Sequence, residues 1–125
     1  MSETDLLHHE LTREIIGSAM DVHSNLGSGF LESVYEEALA IEFDLRNVPY
    51  ERQKGINVLY KGRQAKQFIC DFLVAENVLV EIKAISQLTN VEEAQLMNYL
   101  KATEIRVGLL INFGESSLKY KRFIL

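Results

Sequence analysis

The sequence predicts one α/β domain over residues 1–125, with a mixed central sheet flanked by helices and the element order α-α-β-β-β-α-β. Two observations indicate this fold class. Apolar residues recur at helical spacing through the first 46 residues, and runs rich in β-branched and aromatic residues then follow, interrupted by one further helix. The 125 residues, 47% of them hydrophobic, are ordinary for one globular domain.

Two helices are expected before the strands. The first runs from Thr4 to Asn25, with Gly27 placed to end it, and repeats Leu7, Leu11, Ile15 and Val22 at helical spacing. The second runs from about Gly29 to about Arg46, and its predicted apolar stripe comprises Leu31, Val34, Tyr35, Ala38 and Leu45. Asn47-Val48-Pro49 breaks this second helix.

The remainder of the chain predicts strands and one helix. The strands are Ile56–Tyr60, Lys66–Val74, Val78–Ile85 and Arg106–Phe113, with Tyr120–Leu125 as a candidate edge strand and Lys61-Gly62-Arg63 as a turn. Thr89 opens a helix to about Ala102, with Glu92 completing a capping box. The segment from Val78 to Phe113 is a βαβ unit, so its two strands should be parallel.

Charged residues interrupt two strands that are apolar on both faces. Alternation in Lys66–Val74 assigns Phe68, Cys70, Phe72 and Val74 to one face, and Ile69, Asp71 and Leu73 to the other. In Val78–Ile85, Glu81 and Lys83 share a face with Leu79 and Ile85. Burying an unpaired charge is costly, so Asp71, Glu81 and Lys83 need one another, a cation or a wet cleft.

The loop between these strands decides whether the charges meet. A three-residue loop, Ala75-Glu76-Asn77, places Asp71 opposite Glu81, and Asn77 tolerates the left-handed conformation favoured at the last loop position. A two-residue loop, Glu76-Asn77, pairs Asp71 with Ile82 and separates the charges. We adopt the three-residue loop, which brings the carboxylates within roughly 5–6 Å at Cβ.

Two carboxylates at this spacing suit Mg²⁺ or Mn²⁺, which are bound by one or two acids together with waters and a substrate phosphate. Such an ion lowers the pKa of a bound water and clamps a phosphate oxygen, while Lys83 would orient or deprotonate that water. The alternative is a buried Asp–Lys–Glu network without a metal. Because the three charges interrupt interior strands, we favour the metal site.

These residues resemble a known family. Asp71, with Glu81-Ile82-Lys83 closing the next strand, resembles the D…(D/E)xK signature of the PD-(D/E)xK nuclease superfamily. Gly29-Phe30-Leu31-Glu32-Ser33-Val34-Tyr35 resembles the motif of the GxxExxY proteins, a bacterial and archaeal group assigned to that superfamily. The stretches VHSNLGSGFLESVYEEAL, VEIKA, EAQLMNYL and GLLINFG match as well, so the resemblance runs from about Leu11 to Leu125. Cys70 departs from the pattern, because the superfamily has proline before the aspartate.

The resemblance implies a restriction-endonuclease-like core and catalytic roles for Asp71, Glu81 and Lys83. It also implies that Glu32 joins the metal site; the alternative is a favourable carboxylate in the first turn of its helix. Gln95 and Tyr99 resemble the Q-x-x-x-Y of nuclease domains in recombination helicases, where the glutamine supports the site and the tyrosine contacts nucleic acid. Their alternatives are a helix-surface residue and a core aromatic, and we expect function for Gln95 and core packing for Tyr99. Tyr35 is expected in the core, with its hydroxyl reaching towards the site.

The net charge of −5 is unevenly distributed. Residues 1–45 carry a net charge of −9 and the remaining residues +4. A basic patch of Arg52, Lys54, Lys61, Arg63 and Lys66 accounts for this excess, and its members are candidate nucleic-acid contacts. Because neutralised phosphates supply most non-specific affinity, an acidic protein should not hold long duplex DNA unaided.

We expect a cytoplasmic protein, with no membrane segment and room for a homo-oligomer or protein partner. No segment approaches the roughly 20 apolar residues of a membrane span, and Cys70 is the one cysteine. The leading hypothesis is a Mg²⁺- or Mn²⁺-dependent nuclease that hydrolyses phosphodiester bonds in DNA or RNA ends, flaps or short single strands. The alternative is a non-catalytic binding or assembly module with the same fold.

Overall fold

A five-stranded mixed sheet separates two layers of helices in the computed structural model, which describes residues 7–125. The elements are α1 (His9–Leu26), α2 (Glu32–Leu45), β1 (Tyr50–Tyr60), β2 (Arg63–Val74), β3 (Val78–Lys83), α3 (Asn90–Ala102), β4 (Val107–Asn112) and β5 (Lys119–Ile124). The strands lie side by side in chain order. Antiparallel pairing joins every neighbouring pair except β3 and β4, which are parallel. The predicted fold class and the βαβ unit are thereby confirmed.

The helices cover opposite faces of the sheet because each buries one apolar side. α1 and α2 bury Ile15, Ala19, Tyr35, Leu39 and Phe43 against one face, which includes Phe72, Val80, Ile82, Leu109 and Phe113. α3 buries Leu96, Tyr99 and Leu100 against the other face, which includes Cys70, Leu73, Leu79 and Leu110. Between residues 7 and 125, no helix combines the length and apolar character that a membrane crossing requires.

Of the predicted apolar stripe of α2, Tyr35 is buried and Ala38 packs against the core, whereas the other three residues are exposed. Leu31 and Leu45 are exposed, and the buried side carries Leu39 and Phe43 instead. Apolar residues occupy two sides of this helix, so spacing alone could not choose between them. Aromatic packing makes the choice, because Phe43 meets Phe72 at 5.5 Å between ring centroids. Of the first helix, the predicted start at Thr4 lies outside the described residues.

The β1–β2 hairpin is longer than the sequence predicts. β1 begins at Tyr50 rather than Ile56, and β2 begins at Arg63 rather than Lys66, because the polar stretch Tyr50–Gly55 pairs along β2 as an edge strand. The turn is the two residues Lys61 (φ 51°) and Gly62 (φ 78°), both left-handed, as two-residue hairpins favour.

The predicted alternation of β2 is wrong before Asp71. Phe68 and Cys70 pack on the α3 side with Leu73, whereas Phe72 and Val74 pack on the α1–α2 side. Two features explain the change of face. Gln53, opposite Asp71 on β1, has a left-handed backbone (φ 52°), and the β2–β3 ladder ends at Phe72–Val80. Before Phe72, β2 no longer pairs with β3, so β2 and β1 turn together and pack on α3.

The three-residue loop Ala75-Glu76-Asn77 forms as expected, with Val74 paired to Val78. Its left-handed residues are Ala75 (φ 49°) and Glu76 (φ 61°), not Asn77 as predicted. The Asn77 N–H donates to the Val74 carbonyl at 3.0 Å, which closes a tight turn at Val74–Asn77 and leaves both central residues left-handed.

We predict that Gly114→Ala destabilises the fold by roughly 1–3 kcal/mol or more, as overpacking does. A Cβ at Gly114 would lie 2.2 Å from the Ile85 carbonyl oxygen, so backbone must move. Gly55→Ala is the matched control, because its Cβ would meet only the flexible end of Gln67, at 3.2 Å. Denaturant unfolding measures both variants, and equal free energies of unfolding would contradict the prediction.

Candidate active site

The candidate site lies where β2 and β3 stop pairing. Asp71 precedes the last paired residue of β2, and Glu81 follows the last paired residue of β3, so the two are the next positions in register. β3 is the central strand of the sheet, and its residues from Val78 to Ile82 are buried. The two carboxylates therefore sit at the end of a ladder in the interior of the sheet.

Each carboxylate binds a peptide N–H of the other strand. The Asp71 N–H donates to Glu81 Oε1 at 2.9 Å, and the Ile82 N–H donates to Asp71 Oδ2 at 2.8 Å. These side-chain bonds satisfy donors that the interrupted ladder leaves without carbonyl partners. They also fix both carboxylates and leave the second oxygen of each, Asp71 Oδ1 and Glu81 Oε2, outside these two backbone hydrogen bonds.

The site holds two acids against one base. Burial raises the pKa of Glu81 to about 8, and the negative charge of Asp71 adds to the effect. Burial likewise raises the pKa of Asp71, with the charge of Glu36 adding to it and the Ile82 N–H opposing it. Lys83 Nζ lies 3.9 Å from Glu81 Oε2 and is mostly buried. With both acids ionised, the cluster carries one uncompensated negative charge, which a cation would neutralise.

The donor set fits an open, partly hydrated magnesium site rather than a closed one. Within residues 7–125, no three His, Cys, Asp or Glu side chains are gathered so that they could hold one ion. Mg²⁺ needs only one or two carboxylates, because waters and substrate phosphate complete its shell. Asp71 Oδ1 and Glu81 Oε2 are the oxygens that would bind it.

Glu32 lies in the first turn of α2 and responds to the charges of the site. Burial raises its pKa most, Lys83 lowers it, and Asp71 and Glu36 raise it further. No side chain caps the N-terminus of α2 by a hydrogen bond. Glu32 therefore lies in the field of Asp71 and Lys83, although it does not complete a three-carboxylate cluster with Asp71 and Glu81.

Glu36, one turn after Glu32, was missed from the sequence. It accepts hydrogen bonds from Arg52 at 2.7 Å and Gln53 at 2.5 Å, and its charge raises the pKa of Asp71. The available signal was the spacing, since residues four apart share a helix face. Glu36 ties α2 to the strand region opposite Asp71.

Tyr35 is a core residue, and its hydroxyl bonds the preceding loop instead of reaching the carboxylates. The hydroxyl donates to the Gly27 carbonyl at 2.6 Å and accepts from the Phe30 N–H at 3.2 Å. Its ring stacks on Phe113 at 4.7 Å between centroids. Tyr35 thereby fixes where α2 begins, and with it the position of Glu32.

Asn112 anchors the end of β3, which carries Lys83. Its role was not predicted from the sequence. Its fully buried amide accepts from the Ile85 and Gly114 N–H groups at 3.0 Å and donates to the Ile85 carbonyl at 2.9 Å. The Phe113 N–H donates to the Lys83 carbonyl at 2.8 Å. The sequence signal was a polar residue ending the apolar run RVGLLINF.

The two predicted α3 residues have different surroundings. Gln95 is half-buried, and its side chain forms no hydrogen bond within the described chain. Tyr99 is 2% exposed and packs against Phe68 at 5.5 Å between centroids, which agrees with the core interpretation. The predicted capping box at Thr89 and Glu92 is present. The hydrogen bond from Thr89 lowers the pKa of Glu92, and the charge of Lys83 contributes in the same direction.

The basic patch is divided between paired and unpaired residues. Arg52 bonds Glu36 at 2.7 Å and Glu37 at 2.9 Å, and Lys54 pairs with Glu51 at 3.2 Å. Arg63 and Lys66 are exposed on β2 and form no salt bridge within residues 7–125. Arg52 therefore forms its salt bridges with α2, whereas Arg63 and Lys66 face solvent.

Cys70 is fully buried beside the acids, with Sγ 3.4 Å from the Val80 carbonyl oxygen. Burial, with the charges of Glu81 and Asp71, raises the pKa of this thiol. A protonated, inaccessible thiol is unreactive.

We predict that the metal-free protein loses stability as pH rises between about 4.5 and about 8. The pKa of Glu81 is raised from 4.5 to about 8, so in this window the folded protein holds a proton that the unfolded chain releases. The stability contributed by the neutral Glu81 carboxyl is fully present below pH 4.5 and is lost as the pH rises through about 8. Glu81→Gln can still accept from the Asp71 N–H but cannot titrate, so its stability should depend less on pH. Denaturant unfolding in EDTA measures both, and equal pH dependence would contradict the prediction.

Known proteins resemble this chain in sequence and in fold. A family model described as the PD-(D/E)XK nuclease superfamily matches residues 9–123. The chain is similar in structure to an alkaline exonuclease from Laribacter hongkongensis, with a TM-score of 0.50 and 15% identity. The similarity covers 74% of this chain and 55% of that chain, and at this identity it concerns the fold alone. No curated protein matches the sequence. On the family match over residues 9–123, this chain belongs to the PD-(D/E)XK nuclease superfamily.

Proposed function

We propose that the chain is a Mg²⁺- or Mn²⁺-dependent nuclease that hydrolyses phosphodiester bonds at Asp71, Glu81 and Lys83. The observation that carries the proposal is the reciprocal bonding of Asp71 and Glu81, which holds two carboxylates rigidly and leaves one oxygen of each for a ligand. Two raised pKa values at one buried position are typical of a functional site. The family match supports the same chemistry.

Each residue has a separate part in the proposed reaction. Asp71 Oδ1 and Glu81 Oε2 would hold the divalent ion, which when bound would supply an acidified water and neutralise phosphate charge. The Lys83 ammonium lies beside Glu81 Oε2, where it can orient the attacking water and stabilise negative charge developing on the phosphate. The Asp71 and Ile82 N–H groups hold the two carboxylates in place throughout.

Glu32 and Gln95 are proposed as supporting residues from the two helical layers. Glu32 would receive a metal-bound water. The effect of the Lys83 and Asp71 charges on its pKa supports this role, and Tyr35 fixes the start of its helix. Gln95 lies in the first half of α3 and its amide forms no hydrogen bond within residues 7–125, so it would be available to contact substrate. The Gly29–Tyr35 segment supports assignment to the GxxExxY group.

The proposed substrate is the end, flap or short single strand of DNA or RNA. The net charge of −5 supports this choice over long duplex, since few phosphates can be neutralised. The buried, unreactive Cys70 supports a cytoplasmic location.

A non-catalytic binding module is the second candidate. The absence of a three-ligand metal cluster within residues 7–125 favours it. The pair of buried acids opposes it. Replacing a buried ionic group with well-packed apolar residues is often neutral or stabilising, so the fold alone does not require these acids.

We predict that Lys83→Ala lowers metal-dependent cleavage by roughly 10²–10⁴-fold, the usual cost of losing a positioned acid–base group. Without metal and above about pH 8, where both acids are ionised, it should also unfold at lower temperature than wild type, because Lys83 offsets the Asp71–Glu81 repulsion. Saturating Mg²⁺ should narrow that difference, since the ion takes over the neutralisation. Lys121→Ala is the matched control, because its exposed ion pair with Glu93 should matter little.

Cleavage is measured on labelled single-stranded, flapped and duplex DNA and RNA, with Asp71→Asn included as a metal-ligand variant. Activity of Asp71→Asn equal to wild type would refute the site. No cleavage of any substrate, together with Mg²⁺ stabilisation that Asp71→Asn leaves unchanged, would instead establish the non-catalytic module.

A further inference from the structure

The β1–β2 hairpin and the C-terminal half of α3 enclose a groove that the proposed reaction does not use. It has a volume of about 640 Å³, within the range of ligand-binding clefts. Val58, Phe68 and Ala102 supply apolar surface, and Lys66 and Lys101 contribute from the hairpin and from α3, respectively. The groove exists because β2 changes face at Asp71 and carries the outer hairpin across α3.

The hairpin side of this groove carries uncompensated positive charge. Residues 52–70 include five bases and no acid, in a chain whose net charge is −5. Arg52 and Lys54 are paired with acids, but Lys61, Arg63 and Lys66 form no salt bridge within residues 7–125. A cationic surface maintained on an acidic protein is complementary to a polyanion.

Aromatic rings accompany these cations. Phe68 is half-buried in the groove with Lys66 Nζ 5.8 Å from its ring centroid. Tyr60 is 67% exposed at the hairpin turn, with Lys61 Nζ 5.4 Å from its centroid. Accessible rings beside lysines are the elements of single-strand recognition, in which bases stack on the rings and phosphates meet the cations.

We propose that this groove binds a single strand of nucleic acid, with a base on Phe68 and phosphates on Lys66 and Lys101. A duplex is excluded from this mode, because its bases are already stacked and cannot reach a recessed ring. Phe68 precedes Asp71 by three residues on β2, a distance of about 10 Å along an extended strand. That length corresponds to roughly three nucleotides at the 3.4 Å spacing of a stacked strand.

The groove would thus hold the substrate roughly three nucleotides from the bond that the Asp71–Glu81 site cleaves. This part of the inference rests on the proposed function, whereas binding itself does not. The test therefore measures binding in EDTA, where cleavage cannot occur. Fluorescence anisotropy follows labelled oligodeoxythymidine and oligouridine of about twelve nucleotides, within single-strand site sizes, and a duplex of equal length.

The test variant is Lys66→Ala/Lys101→Ala, and the charge-matched control is Lys119→Ala/Lys121→Ala on β5. The test variant should bind the single strand at least ten-fold more weakly than the control. The slope of log affinity against log salt should become shallower by about 1.4, from about 0.7 per lost phosphate contact. Phe68→Leu keeps the apolar packing against Tyr99 and should weaken binding about five-fold or more through lost stacking.

Equal binding by the test and control variants would overturn the proposal, as would duplex binding as tight as single-strand binding. Preferential binding of a poly-glutamate probe would also overturn it, in favour of an acidic protein partner. Binding that depends on the groove in a protein that cleaves nothing would uphold this inference while refuting the nuclease. Cleavage that the groove variants leave unchanged, with binding also unchanged, would refute this inference and uphold the nuclease.

Discussion

The exchange of hydrogen bonds between two carboxylates and two peptide N–H groups is the constraint on which the site depends. At Asp71 and Glu81 the side chains take the place of main-chain carbonyls, so the ladder ends without leaving buried donors unsatisfied. The same bonds fix the acids in one conformation. The same two hydrogen bonds therefore end the ladder and preorganise the candidate metal site. Removing either carboxylate would disturb the sheet as well as the site.

The surrounding helices and loops serve this position. Tyr35 ties the loop before α2, Asn112 ties the loop after β3, and Glu36 binds the residues of β1 opposite Asp71. Each is a hydrogen-bonded group that joins segments distant in sequence. They keep the charged cluster from relaxing towards solvent, which maintains the raised pKa values of Asp71 and Glu81.

Much of this arrangement was predictable, because it follows from local rules. The three-residue loop after Val74 sets the register that places Asp71 opposite Glu81, and the capping box at Thr89 sets the start of α3. The change of face at Phe68 was not predictable, since it depends on the left-handed backbone of Gln53 in the neighbouring strand. The buried side of α2 and the role of Asn112 likewise depend on tertiary partners that no periodicity encodes.

The order of strands in the sheet has a consequence for how the chain folds. Every hydrogen-bonded pair of strands is also a pair of neighbours along the chain, so the sheet can assemble stepwise with modest loop-closure entropy. Asp71 and Glu81 belong to one short hairpin, which can form while both acids are still hydrated. Their repulsion in water is only about 1 kcal/mol at 4 Å. The larger electrostatic cost arises later, when the helices dock and exclude water, by which time the register of the two acids is already set.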